Sequence, residues 1–181
     1  MIIDGAPFAV SVDGLDYAID TSFRCGIRVA RTLDHPILSD FAKVIVILAN
    51  FFPDGVPDGC DSAEAFKACM SFHALEAQGS ANKRKPKRVY DWDLDISMLV
   101  SDFQNEYRID LTDSSLEMHW WRFWMLFEGL SNTSKTMTAI GYRSIRVDPK
   151  LSKEEQKRLR AMQKLYRLPP RNISEVDDFD G

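Results

Sequence analysis

The sequence predicts a mainly α fold, a helical bundle carrying a small N-terminal β-hairpin. Two observations carry this. Asp13-Gly14 stands between two alternating apolar runs, Phe8–Val12 and Leu15–Ile19, and a two-residue turn that needs positive φ at both central positions favours that dipeptide. Beyond it, successive segments place apolar side chains three and four apart. Each opens near Ser, Thr or Asp and closes at Gly, Pro or a polar stretch, the pattern of capped amphipathic helices.

A lone hairpin is marginal in water, so it is expected to pack on the helices or to pair with another subunit. Asp20 or Thr21 can cap a helix through about Leu33, with Phe23, Ile27 and Ala30 on one face. His35-Pro36 breaks it. Ser39 and Asp40 offer a cap for residues 41–52, where Phe41, Val44, Ile45, Leu48 and Phe52 form a helical stripe. Pro53–Gly59 is a loop by composition. Asp61 or Ser62 starts a third helix, expected to run to about Gln78 and stop at Gly79.

Ser80–Arg88 is polar and basic, and reads as an exposed linker that trypsin cuts first, leaving two helical fragments. A second helical group follows. It comprises residues 94–107, residues 116–130 capped by Asp113, Ser114 or Ser115, and residues 133–143. The helix over 116–130 is expected to be the core of this group, with Trp120, Phe123 and Phe127 on one face. Ser152-Lys153-Glu154-Glu155 is a capping box opening a charged helix to about Tyr166, which Pro169-Pro170 ends. The organisation read this way is a hairpin plus helices over 1–79, a basic linker over 80–89, a second group over 90–168 packing with the first, and a disordered acidic tail over 169–181.

The 181 residues suit one domain or one domain with appendages, and 45% of them are apolar. A formal net charge of −4 argues against nucleic acid or an anionic membrane as partner. Cys25, Cys60 and Cys69 are sparse and odd in number, which suits reduced thiols in a cytoplasm. The N-terminus lacks the basic and apolar regions of a signal peptide. Val44–Phe52, the most apolar stretch, is too short to span a bilayer.

Candidate chemistry weakens on inspection. Asp91, Asp93 and Asp95 begin like a calcium loop with Asp102 as closing acid, but Ile96 stands where the sharp turn needs Gly. Capping a helix is the better role for these acids. Cys69 and His73 share a helix face without a second ligand pair. His119 lies in an apolar run and reads as an imidazole bonded to a backbone carbonyl or carboxylate, not as a catalytic base. Lys83–Arg88 lacks the interleaved aromatics of a single-strand binder. No phosphate loop occurs. No catalytic, cofactor-binding or metal-binding residues are therefore assigned, and no enzyme is expected. The candidate residues are for protein interaction: Phe51, Phe52, Trp121, Trp124 and Met125, large apolar side chains in excess of what one small domain covers.

One stretch adds a family likeness. Tyr90-Asp91 precedes a helix, then come Phe103, Tyr107-Arg108-Ile109-Asp110-Leu111, His119-Trp120-Trp121-Arg122-Phe123, Leu130 and Tyr142-Arg143. This resembles the tailed-phage family labelled gene product fifteen, of phages and prophages of Gram-positive bacteria. Asp20-Thr21-Ser22-Phe23-Arg24 also fits, with Ser22 where an acidic residue is expected. The resemblance implies a tail-module gene between those for the major tail protein and the tape-measure protein. It implies a tail-assembly chaperone acting in the bacterial host cytoplasm, with the tape measure and the major tail protein as partners, and the excess of large apolar side chains adds the expectation of a homo-oligomer. The alternative is a structural tail or connector protein retained in the virion. The family brings no catalytic residues.

Overall fold

The computed structural model describes residues 5–75 and 88–171. The expected basic linker falls mainly, and the expected acidic tail mostly, outside the described residues. In chain order the elements are β1 (Ala9–Val12), β2 (Leu15–Ala18), α1 (Phe23–Leu33), α2 (Asp40–Phe51), α3 (Ser62–His73), α4 (Ile96–Tyr107), α5 (Trp120–Glu128), α6 (Lys135–Ser144) and α7 (Lys153–Tyr166). This is the mainly α architecture with an N-terminal hairpin that the sequence predicts. The chain forms two compact units: Met1–Lys83 with Glu117–Gly129, and Arg84–Leu116 with Leu130–Gly181.

In the first unit β1 and β2 pair antiparallel, Val10 opposite Tyr17 and Val12 opposite Leu15. Asp13 and Gly14 take φ of 52° and 79°, the left-handed values a type I′ turn demands. Val10 and Val12 are buried, and β1 packs on α3. The helices are capped close to where the sequence places their starts. Ser22, Ser39 and Asp61 accept backbone N–H bonds at the N-termini of α1, α2 and α3. Asp20, one expected cap of α1, instead accepts from the Ser22 N–H and pairs with Arg28. α3 stops well before Gln78, because Leu75 sits at φ 56°, a left-handed residue that ends the hydrogen-bond ladder.

α5 departs most from expectation. It belongs to the first unit, not the second, and starts four residues later than predicted. Asp113 closes a local turn by accepting from Ser115 N–H and O–H and caps no helix. The chain then runs extended beside the start of α1: Met118 C=O accepts from Phe23 N–H at 2.9 Å and Thr21 C=O from Trp120 N–H at 2.7 Å. His119 supplies the cap, its Nδ1 accepting from Trp121 N–H at 3.1 Å. Trp120, Phe123 and Phe127 do share a buried face, but that face lies on α1. Trp120 occupies the space over Gly26, where a Cβ would come within 2.1 Å of the indole.

In the second unit α4 and α6 pack together, and α6 packs with α7. Buried Asp102 accepts from Lys135 and Thr136 N–H, placing a carboxylate at the positive end of α6. The predicted capping box opens α7: Ser152 and Glu155 bond reciprocally. Asp95, not a cap, is buried in a bidentate pair with Arg143 at 2.6 and 2.9 Å. Arg143 also donates to Tyr166 C=O at 2.6 Å and Val89 C=O at 3.0 Å. One guanidinium thereby ties α6 to the end of α7 and to the segment before α4. Asp91 caps the following turn through Asp93 and Leu94 N–H and receives Arg171 at 2.6 Å. Burial opposes its charged form, but those two N–H bonds and Arg171 hold its carboxyl below the usual range.

Candidate interaction surface

Of the five residues proposed for protein contact, three are core. Phe51 is fully buried and meets Phe72 edge-on, with ring centroids 5.9 Å apart. Phe52 is buried beside it. Trp121 stacks on Phe72, and its indole N–H donates to Phe72 C=O at 2.9 Å, so its polar edge is satisfied inside the protein. The sequence expectation of apolar surface at these three is therefore corrected. Trp124 is half-buried and stacks on Phe127, and Met125 is exposed.

The uncovered apolar surface lies elsewhere, on α2 and the turn before it. Ile37 is 86% exposed, Phe41 75% and Ile45 53%, with Val46 and Ala49 also exposed. Positions 41, 45 and 49 follow a four-residue spacing along α2 and form one ridge, with Ile37 in the turn that precedes it. The buried face of α2 is instead Ile47, Leu48 and Phe51. The stripe read from the sequence thus splits, with Leu48 and Phe52 inside and Phe41 and Ile45 in solvent. α2 is apolar almost all round, so periodicity cannot choose which face is covered. His35 fixes the approach to the ridge, its Nδ1 accepting from Ile37 and Leu38 N–H.

A second feature lies on the same unit. Among the described residues β1 pairs only with β2. A cleft of about 430 Å³ runs along β1, lined by Ala9, Val10 and Ser11 and by Ala68, Phe72 and Trp121.

The polar groups weighed for chemistry have structural partners. His119 Nε2 donates to Pro7 C=O at 2.9 Å, and with Nδ1 capping α5 both ring nitrogens are in use. His73 Nε2 donates to Gly26 C=O at 3.0 Å, and its ring stacks on Trp120. Burial lowers its pKa from the ordinary 6.5, partly offset by that bond. Cys69 is fully buried, and burial pushes its thiol up to about 12, away from the thiolate that a nucleophile or ligand needs. Among the described residues no three His, Cys, Asp or Glu side chains gather to hold a metal ion. Among them, too, no helix is long and apolar enough to cross a membrane.

Comparison with known proteins gives a family match. The family model described as Bacteriophage Gp15 protein matches residues 2–168. The chain belongs to that family, and so among phage structural and tail-related proteins. No curated protein and no solved structure matches significantly. The resemblance drawn from Tyr90-Asp91, His119-Trp120-Trp121 and Tyr142-Arg143 thus names the right family. In the fold these residues serve the Asp91–Arg171 and Asp95–Arg143 pairs and the α1–α5 core.

Proposed function

We propose that the protein is a non-enzymatic tail-assembly chaperone that covers an apolar stripe of the helical tape-measure protein in the cytoplasm of the bacterial host. The observation that carries this is the exposed ridge of Phe41 and Ile45 on α2, with Ile37 bare in the turn before it. A soluble protein keeps such a patch uncovered when a partner is to cover it. Residues at four-residue spacing on one helix interdigitate with the corresponding ridge of another. Burying a fully exposed side chain of this size yields about 1.5–3 kcal/mol, and association itself costs several kcal/mol. One copy therefore binds weakly. Many copies along one long partner bind firmly through avidity, and partner and coat separate again when tail-tube subunits, the major tail protein, replace them. Neighbouring copies in the coat contact one another through the free side of β1, where unpaired strand backbone invites pairing.

The test is co-expression with the phage's tape-measure protein, followed by affinity capture and light scattering. A complex is expected, with Phe41→Ser plus Ile45→Ser weakening it at least tenfold while thermal stability stays unchanged. A wild-type protein that forms no complex over a wide concentration range refutes the chaperone reading. Mass spectrometry of purified virions decides the alternative: a structural tail or connector protein is present there, a chaperone absent.

A further inference from the structure

The second unit carries a surface that the chaperone reading does not use. On α7, Lys153, Lys157, Arg160 and Lys164 are all exposed. At 3.6 residues per turn they fall within about 60° of one another around the axis, a stripe running most of the length of the helix. Among the described residues no carboxylate pairs with any of the four. Glu155 is turned into the capping box with Ser152. Beside the stripe stands Leu165, 71% exposed. Like charges three and four apart on one helix face repel one another weakly, and a chain whose formal net charge is −4 has carboxylates to answer them.

The complementary segment follows in the same chain. Residues 172–181 hold Glu175, Asp177, Asp178 and Asp180 with no Lys or Arg, and Ile173, Val176 and Phe179 are spaced among them. Reach is sufficient. Arg171 is held at Asp91, shortly after α7 ends at Tyr166. The helix is about 21 Å long, and ten extended residues span roughly 33 Å. Tethering this close gives an effective concentration on the order of millimolar.

We propose that the acidic segment 172–181 folds back along α7, its carboxylates on the stripe of Lys153, Lys157, Arg160 and Lys164 and an apolar side chain on Leu165. The contact is electrostatic and surface-exposed, so it weakens with salt.

Zero-length carbodiimide cross-linking of the full chain, read by peptide mass spectrometry, tests this. An equal mixture of unlabelled and nitrogen-15 protein separates contacts within a chain from those between copies. The expected result is amide links from Glu175, Asp177, Asp178 or Asp180 to Lys153, Lys157 or Lys164 within one chain, reduced at least tenfold in 0.5 M NaCl. Arg160→Glu removes no cross-linkable amine, yet should lower those links at least threefold. Links that are absent, that go to lysines off α7, or that mix isotopes overturn the proposal. So does binding of a 30-base-pair DNA duplex by the full chain at 0.15 M salt that Arg160→Glu abolishes, which would make nucleic acid the occupant.

Discussion

Replacing Gly26 by alanine should destabilise the first unit, although the same change in an exposed helix stabilises by about 1 kcal/mol. The added Cβ would stand 2.1 Å from Trp120 Cε3 and 2.2 Å from Cδ2, far inside contact distance. Trp120 cannot step aside. It is 1% exposed, its N–H donates to His73 C=O at 2.9 Å, and its ring is stacked between His73 and Phe123. Overpacking of this kind costs about 1–3 kcal/mol, and expelling the indole outright about 3–5 kcal/mol. Less the propensity gain, the two routes leave about 0–2 and about 2–4 kcal/mol, and a Cβ 2.1 Å from a ring without room to move places Gly26→Ala in the second range. At about 2–4 °C per kcal/mol for a chain of this size, the melting temperature should fall by roughly 4–16 °C. Circular dichroism melts of wild type, Gly26→Ala, Trp120→Phe and the double variant check the contact, because the smaller ring should recover part of the alanine cost and show non-additivity. A Gly26→Ala protein that melts at or above wild type would refute the α1–α5 packing.

Three further outcomes follow from the geometry. Arg143→Met should cost about 3–5 kcal/mol, because it strands Asp95 buried and unpaired. Arg143→Lys should lose much of the same, since one ammonium cannot serve Asp95, Tyr166 and Val89 together, and urea titration reads both. Iodoacetamide should label half-exposed Cys60 in the native protein while sparing Cys25 and Cys69, whose thiols burial pushes up to about 12; labelling of either before unfolding would contradict their burial. His73 has a folded pKa below its ordinary 6.5, so its contribution is complete above that value and shrinks as pH falls through the interval down to the folded pKa. Stability by urea titration should decline from pH 7.5 to 5, and His73→Gln should flatten that decline.

The sequence is most informative where a local rule has one physical solution. Asp13-Gly14 answers a turn with two positive φ angles, and Ser152-Glu155 forms a reciprocal cap, so both can be read without tertiary context. The N-terminus of α5 cannot, because histidine is not among the usual capping residues and Ser114 and Ser115 offer ordinary ones nearby. Its placement in the first unit depends on a contact across nearly a hundred residues. The available hint was Gly26, a glycine inside a helix, which signals close approach of a bulky neighbour. Which apolar residues stay exposed is illegible for a related reason. α2 offers apolar residues on every side, and only the packing of Ile47, Leu48 and Phe51 decides which of them stay in water. The Asp95–Arg143 pair spans 48 positions, beyond any spacing rule.

Because α5 completes a unit whose other helices end at His73, the first unit is discontinuous in the chain. Cleavage between the expected helical groups cannot release a self-sufficient N-terminal fragment, since that fragment lacks Trp120, Phe123 and Phe127. Birth on the ribosome meets the same obstacle. Once residue 75 has been made, some fifty more must be added before α5 exists to seal the core, roughly 3–10 s at ordinary elongation rates. Through that interval α1 presents a bare groove at Gly26, where any other aromatic side chain within reach can lodge.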